Sequence, residues 1–150
     1  MVVRLVREAR GLLCPKGTNM RWLEPKLLIA DDDRDFRESL AEVFSRRGYV
    51  TTLAADGQEA LDICRHVDQL HLVILDVHMP RLSGLEALQQ MRALSAAPVP
   101  CVLMSAQMDD KIVRQAESLQ TAGLLSKPFT LRTLTTTVET ILRQSYGWEL

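Results

Sequence analysis

The sequence is poor in the residue types that mark disulfide-rich, zinc-ribbon and membrane proteins. Aromatic residues make up only 5% of its 150 residues, and it has three cysteines, Cys14, Cys64 and Cys101. The odd count, the wide spacing and the lack of a CxxC pair exclude a disulfide framework or a zinc ribbon and favour a reducing, cytoplasmic environment. No apolar run approaches the roughly 20 residues that cross a bilayer. Charged residues interrupt the apolar N-terminus, so we expect neither a membrane span nor a secretory signal.

Excess positive charge is also missing. The chain carries 18 Lys and Arg against 19 Asp and Glu, a formal net charge of -1. No positive field attracts nucleic-acid phosphates, so we expect no direct nucleic-acid binding. The charge is unevenly spread, because residues 1–25 hold five basic and two acidic residues, which gives +3 there and leaves -4 for the remainder.

A change in composition near Pro25 predicts a domain boundary. We expect a flexible basic N-terminal extension over residues 1–25, one compact domain over residues 26–145 and a short tail over residues 146–150. Two alternatives apply to the extension. Its interleaved arginines and apolar residues also fit a short amphipathic helix that contacts a membrane or a partner, and Met20 offers a later translation start.

Short apolar runs alternate with longer amphipathic segments along the predicted domain. The periodicity predicts five strands, at residues 26–30, 49–53, 72–75, 99–104 and 123–125. It also predicts five helices, at residues 36–46, 58–67, 85–94, 111–120 and 131–143. Alternating strands and helices favour right-handed crossovers, so we predict an α/β fold with a doubly wound, five-stranded parallel sheet and helices on both faces. In such a sheet the ligand site lies beyond the carboxyl ends of the strands.

Chemically active side chains follow four of the predicted strands. Asp31 and Asp32 follow the first strand, Asp76 the third, Ser105 the fourth and Lys127 the fifth. Carboxylates that meet at one sheet edge repel one another by about 4 kcal/mol per pair at about 4 Å. A hard divalent cation such as Mg²⁺ would neutralise them through oxygen ligands. A nucleophilic Asp, a Mg²⁺ site, a lysine and a hydroxyl are together the groups that phosphoryl transfer to an aspartate requires.

Other acids at element starts have a simpler interpretation. A single Asp after a strand is most often a helix cap. We therefore interpret Asp33, Asp35 and Asp56 as capping or first-turn acids, and we predict that Thr130 caps the last helix.

Four segments resemble the receiver domain of two-component response regulators. They are LIADDD at residues 28–33, LDVHMPRLSG at 75–84, MSA at 104–106 and SKPF at 126–129. The order and spacing match over about residues 26–145, and the Asp-x-x-Met-Pro-x-x-x-Gly stretch is especially specific. The resemblance implies a flavodoxin-like fold, like that of single-domain chemotaxis regulators.

The resemblance also implies a role for each residue at the strand ends. Asp76 would accept the phosphoryl group, the Ser105 hydroxyl would hydrogen-bond that group, and Lys127 would pair with it. The peptide bond between Lys127 and Pro128 would be cis. The implied ligands of Mg²⁺ are Asp31, Asp32, Asp76 and the backbone carbonyl of His78.

The implied function is that of a phosphoacceptor in two-component signal transduction. A sensor histidine kinase or a phosphotransfer protein would supply the phosphoryl group. Phosphorylation of Asp76 would then shift the last helix–strand–helix face and change the binding of a downstream protein. Such a domain catalyses only its own phosphorylation and dephosphorylation, so it is not an enzyme acting on a separate substrate. We expect a cytoplasmic, stand-alone receiver without membrane contact, monomeric or forming a phosphorylation-dependent dimer. A piece of a longer regulator or of a hybrid kinase would have the same sequence features.

One residue departs from the family pattern. The fifth strand usually carries Tyr or Phe three residues before the lysine, where this chain has Leu124. The usual aromatic switch cannot operate in that form, which keeps open a pseudo-receiver that never takes phosphate and acts as a protein-interaction module. A phosphatase with an aspartyl-phosphate intermediate is a further alternative. That enzyme class requires a second Asp two residues after the nucleophile, where this chain has His78.

Overall fold

A computed structural model of the chain describes residues 24–95 and 98–150, and it describes the backbone alone of residues 3–4. The strands within these ranges are β1 (Val3–Arg4), β2 (Lys26–Ala30), β3 (Val50–Ala54), β4 (Leu72–Asp76), β5 (Cys101–Ser105) and β6 (Gly123–Ser126). The helices are α1 (Arg34–Arg46), α2 (Gly57–His66), α3 (Gly84–Leu94), α4 (Asp110–Ser118) and α5 (Leu131–Tyr146). No helix of the described residues combines the length and the apolar character that crossing a membrane demands.

Strands β2 to β6 form one parallel sheet in the order β3, β2, β4, β5, β6. The predicted doubly wound sheet of five parallel strands is therefore confirmed. The winding direction reverses between β2 and β4, and in such sheets a ligand site lies outside the carboxyl ends of the two strands at the reversal. The sequence had not predicted β1, a two-residue strand that pairs antiparallel with β6, with Val3 opposite Leu125. The rest of the predicted extension, up to residue 23, lies outside the described residues.

Each face of the sheet is covered by its own helical layer. Along β2, Leu27 and Ile29 belong to the core that includes Phe44 of α1 and Val138 of α5. Leu28 and Ala30 of β2 point the other way, into the core that α2, α3 and α4 share. The alternation follows from the period of two along a strand. Helices on both faces are therefore confirmed.

Side-chain caps set the starts of the helices. Asp33 accepts a hydrogen bond from the Phe36 backbone at 3.2 Å, and Asp56 accepts one from Glu59 at 2.8 Å. Thr130 caps α5 in the same way, with the backbone nitrogen of Thr133 at 3.1 Å. The capping interpretation of Asp33, Asp56 and Thr130 is confirmed. α1 begins two residues earlier than predicted because the cap is Asp33, directly after the aspartate pair.

The C-terminal residues pack at the amino edge of the sheet. α5 extends past its predicted end at residue 143 and stops at Tyr146, where Gly147 adopts the left-handed conformation with φ of 68°. Trp148 is only 3% exposed, and its ring lies 4.7 Å from that of Tyr146 and 4.8 Å from that of His71. The Tyr146 hydroxyl donates to the His71 carbonyl at 2.7 Å. The predicted tail thus contributes to the core near the start of β4.

Candidate functional site

The carboxyl ends of β2 and β4 bring together a carboxylate cluster, which consists of Asp31, Asp32 and Asp76. Asp31 and Asp32 follow β2, and Asp76 ends β4. One oxygen atom of each residue lies within 4.8 Å of those of the other two. Asp31 is fully buried and Asp76 is 6% exposed, whereas Asp32 is exposed. The cluster is therefore held in the sheet on one side and open to solvent at Asp32.

Lys127, directly after β6, is the cation that faces this cluster. Its Nζ donates to Asp31 Oδ2 at 2.7 Å and to Asp76 Oδ2 at 3.1 Å. Burial raises the pKa of Asp76, and the opposing effect of Lys127 does not cancel the rise. Burial alone would lower the pKa of Lys127, but its hydrogen bond to Asp31 and the charges of both acids raise it. Lys127 thus pairs with two of the three carboxylates of the cluster, and negative charge remains for a further cation.

Backbone donors orient the two buried carboxylates. Asp31 Oδ1 accepts from the backbone nitrogen of Asp33 at 2.9 Å, and Asp76 Oδ1 accepts from that of His78 at 3.2 Å. The Arg37 guanidinium donates to the Asp31 carbonyl at 2.7 Å, which ties the end of β2 to α1. Each buried carboxylate therefore has one oxygen held by the backbone and the other by Lys127.

The loop after Asp76 is shaped by a close backbone approach. The Gly84 nitrogen donates to the Val77 carbonyl at 3.0 Å, and a Cβ at Gly84 would overlap the carbonyl oxygen of Asp76. This overlap explains the glycine of the Met-Pro-x-x-x-Gly stretch. Arg81 in the same loop has a left-handed φ of 67° and pairs with Asp56 at 3.2 Å, which links the loop to the start of α2.

Ser105 lies at the same sheet edge but contacts different groups. It is fully buried, and its Oγ donates to the Gln107 carbonyl at 2.6 Å. The Nε2 atom of His78 lies 3.4 Å from the same Oγ. The carbonyl of Ser105 accepts from the Lys127 backbone at 2.8 Å, and the Lys127–Pro128 peptide bond is cis, as expected. Of the predicted site residues, Asp31, Asp32 and Asp76 lie close together, and Lys127 contacts Asp31 and Asp76. Ser105 contacts His78 and the Lys127 backbone instead.

Two aromatic residues beside Lys127 were missed by sequence reasoning. Lys127 Nζ lies 4.5 Å from the centre of the Phe36 ring. Phe129 meets Phe36 edge to face at 5.9 Å. Phe36 fits the helical period of α1, so its pattern indicates a core residue. The sequence feature that could have identified Phe36 is its position in the first turn of α1, directly after the aspartates. That position is at the sheet edge where the Lys127-Pro128-Phe129 segment also lies.

A cavity of about 390 Å³ lies at the opposite end of the sheet, near the amino ends of β4 and β5. Its wall includes Leu70, Val73, Met91 and the thiols of Cys64 and Cys101. Burial raises the pKa of these thiols to about 11 and about 12, respectively, so they are protonated near neutral pH. None of the described residues that line it is a carboxylate. The described lining of this cavity therefore lacks the acidic groups that the carboxylate cluster brings together at the other end of the sheet.

Comparison with known proteins identifies the family of the chain. The family model for the response regulator receiver domain matches residues 27–139. Among curated relatives, "Response regulator MprA" of Mycolicibacterium vanbaalenii is 38% identical over 122 residues, which cover 80% of this chain and 51% of the relative. "Response regulator RR06" of Streptococcus pneumoniae serotype 2 is 32% identical over 120 residues, which cover 80% of this chain and 54% of the relative. The chain thus spans about half the length of these relatives.

Two solved structures match this chain over nearly their whole length. The receiver domain of Francisella response regulator 1452 superposes with a TM-score of 0.74 at 27% identity, covering 81% of this chain and 99% of that chain. Vibrio cholerae chemotaxis protein CheY4 superposes with a TM-score of 0.72 at 26% identity, covering 79% and 98%. The chain belongs to the response regulator receiver domain family of two-component systems.

Proposed function

We propose that the chain is a Mg²⁺-dependent phosphoacceptor in two-component signalling, with Asp76 as the acceptor. The observation that carries the proposal is the carboxylate cluster, in which one oxygen of each acid lies within 4.8 Å of those of the other two and Lys127 pairs with Asp31 and Asp76. This arrangement holds one acid, Asp76, only 6% exposed beside a fixed cation at the carboxyl edge of the sheet. Receiver domains are signalling modules, so the group transferred to Asp76 serves as a signal and not as a step of metabolism.

The donor set of the cluster fits Mg²⁺. Three carboxylate oxygens on an open edge are hard ligands that leave further positions for water and for a phosphoryl oxygen, as Mg²⁺ prefers. Asp31, Asp32, Asp76 and the backbone carbonyl of His78 would hold the ion. When bound, it would neutralise the excess carboxylate charge and the charge on the phosphoryl oxygens.

The residues of the chain have separable tasks in the transfer. A carboxylate oxygen of Asp76 forms a bond to phosphorus while the bond from phosphorus to the donor's leaving group breaks, and that leaving group departs with the bonding electrons. The Lys127 ammonium, 3.1 Å from Asp76 Oδ2, stabilises the charge that develops on the phosphoryl oxygens. The His78 backbone donor keeps Asp76 oriented through its other oxygen.

Ser105 and Leu124 would convert phosphorylation into a change of shape. The Ser105 hydroxyl now donates to the Gln107 carbonyl, and it would exchange that acceptor for a phosphoryl oxygen. Leu124 is 1% exposed and shares a core with Ile112 and Ala116 of α4. A shift of the Ser105 strand end would therefore reach α4 by repacking of Leu124 instead of by a rotating aromatic ring.

The proposed partners follow from this chemistry. A sensor histidine kinase or a phosphotransfer protein supplies the phosphoryl group in the cytoplasm, and a downstream protein binds the altered α4–β6–α5 face. Direct nucleic-acid and membrane contacts are not part of the proposal. The oligomeric state is that of a monomer or of a dimer that forms on phosphorylation.

Intact-mass measurement after incubation with Mg²⁺ and an acyl phosphate tests the proposal. We expect one phosphoryl adduct, which Asp76→Asn and chelation of the metal abolish. Asp33→Asn is the matched control, because Asp33 is an exposed helix cap outside the cluster and asparagine caps equally well. The control should form the adduct at the wild-type rate.

Two results would replace the proposal with its alternatives. A folded wild-type chain without any adduct, also in the presence of sensor kinases, would indicate a pseudo-receiver that acts by protein contact alone. Continuous release of phosphate from many equivalents of the donor would indicate a phosphatase.

A further inference from the structure

Lys127 has two kinds of contact that respond differently to charge. Its ion pairs use Oδ2 of Asp31 and Oδ2 of Asp76. Its third contact is the face of Phe36, with Nζ 4.5 Å from the ring centre. The attraction between an ammonium and an aromatic face does not depend on the carboxylates.

The aromatic bracket, which consists of Phe36 and Phe129, is fixed independently of Lys127. Phe36 lies in the first turn of α1 and packs against the core formed with α5. Phe129 meets it edge to face at 5.9 Å with an interplanar angle of 66°, a favourable aromatic geometry. The lysine therefore lies over a ring whose orientation is set by packing.

The two carboxylate anchors of Lys127 would weaken during the proposed reaction. A cation on the cluster would compete for the oxygens that Lys127 now contacts, and conversion of Asp76 to an acyl phosphate would replace its carboxylate charge with the charge of the phosphoryl group. The ring of Phe36 would keep its contact through both changes. We propose that Phe36 is a positioning residue that holds the Lys127 ammonium at the site while the carboxylates are engaged elsewhere. This inference rests on the proposed phosphoacceptor function.

Phe36→Leu tests the inference, because it keeps an apolar side chain and removes the aromatic face. With Mg²⁺ and acyl phosphate, we expect the rate of adduct formation to fall about three- to ten-fold, the effect of one partly exposed cation–π contact. The Mg²⁺ affinity from titration calorimetry should stay unchanged, since the carboxylates and their backbone donors remain. Phe36→Tyr should restore the wild-type rate.

The same helix offers a matched control. Phe44 of α1 is 1% exposed and stacks on Tyr49 at 5.5 Å, in the same helical layer but in the last turn of the helix. Phe44→Leu should lower thermal stability and leave the phosphorylation rate unchanged. If the rate of adduct formation falls equally in Phe44→Leu and Phe36→Leu, Phe36 acts only as a core residue and the inference is overturned.

Nuclear magnetic resonance gives a second readout that does not require phosphorylation. The Lys127 methylene protons next to Nζ should be shifted upfield by the Phe36 ring, and the shift should disappear in Phe36→Leu. It should persist when Mg²⁺ is added at saturation. Loss of the shift on addition of Mg²⁺ would overturn the inference, because the ring would not hold the lysine when the carboxylates are occupied.

The two readouts separate this inference from the function on which it rests. A wild-type chain that takes no phosphoryl group refutes the proposed function, and the NMR shift still decides whether the ring holds Lys127. A normal wild-type rate together with an unchanged Phe36→Leu rate overturns the positioning role alone.

Discussion

Neutralising Asp76 should make the metal-free protein more stable, although it removes an ion pair. Asp76 attracts Lys127 across 3.1 Å, which amounts to about 5 kcal/mol at an effective dielectric constant of about 20. It repels Asp31 and Asp32 across at most 4.8 Å, which amounts to at least about 3.5 kcal/mol for each pair at the same dielectric constant. The exposed side chain of Asp32 reduces its share, so attraction and repulsion nearly cancel.

Burial then decides the sign of the effect. Asp76 is 6% exposed, and burial raises its pKa above the ordinary value, so the folded chain disfavours the charged form. We expect Asp76→Asn to raise the free energy of unfolding at neutral pH by about 1 kcal/mol, or about 2–4 °C in Tm for a chain of this size. The proposed phosphoacceptor is thus expected to reduce the stability of the folded chain.

Thermal denaturation in a chelator and again with Mg²⁺ provides the assay. A ligand at 100 times its Kd adds about 2.7 kcal/mol to the folded state that binds it. Wild type should gain most of that amount, and Asp76→Asn should gain clearly less because it has lost one ligand. The order of the two melting temperatures should therefore reverse when Mg²⁺ is added. An Asp76→Asn variant that is less stable than wild type in chelator, with an equal gain from Mg²⁺, would refute the electrostatic reasoning.

Three further predictions concern the scaffold. Gly84→Ala should lower the free energy of unfolding by about 1–3 kcal/mol in thermal denaturation, since the added Cβ would overlap the Asp76 carbonyl. Gly48→Ala is the comparison, because an added Cβ meets no atom there and only the φ of 86° is unfavourable, so the loss should be about 1 kcal/mol. Tyr146→Phe should cost about 1 kcal/mol by removing the 2.7 Å hydrogen bond to the His71 carbonyl, and an unchanged Tm would contradict it. Burial and the charge of Lys26 lower the pKa of His71, whose Nδ1 accepts from the Lys26 backbone at 2.9 Å. Its contribution to stability should therefore be complete above the unfolded pKa of about 6.5 and decline as the pH falls through the folded pKa. Denaturant titrations between pH 7 and 5 should show a shallower decline for His71→Asn than for wild type, and an equal decline would refute this.

Sequence periodicity was sufficient to predict where the acids meet. Asp31 and Asp76 each follow or end an uninterrupted apolar run, and such runs predict strands covered on both faces. Because the sheet is predicted to be parallel, the carboxyl ends of those strands lie at one edge. The proximity of Asp31 and Asp76 can therefore be predicted without any knowledge of side-chain packing. Element bounds shifted by only a few residues, and the shift in α1 has a local cause in the cap formed by Asp33.

Contacts between remote elements could not be predicted in the same way. Tyr146 reaches the His71 carbonyl across 75 positions of the chain, and nothing in the period of α5 distinguishes that hydroxyl from a solvent-facing one. The pairing of Val3 with Leu125 could not be predicted from hydrophobic periodicity either, because a strand of two residues is too short to show a repeating pattern. These contacts depend on how far a helix extends and on the position of a terminal segment, and both are decided by packing.

The effect of Leu124, which replaces the usual aromatic residue of the family, can be interpreted only when its packing neighbours are known. The pattern alone predicted that an aromatic switch was lost. The structure adds that Leu124 is 1% exposed and shares a core with Ile112 and Ala116, so a route from β6 to α4 is present with a smaller side chain. If that route transmits phosphorylation, Leu124→Ala should leave adduct formation at Asp76 intact and reduce the chemical-shift changes that phosphorylation produces in α4. Full-size changes in α4 of the phosphorylated variant would refute the route through Leu124, because the cavity left by the substitution removes the contact that carries it.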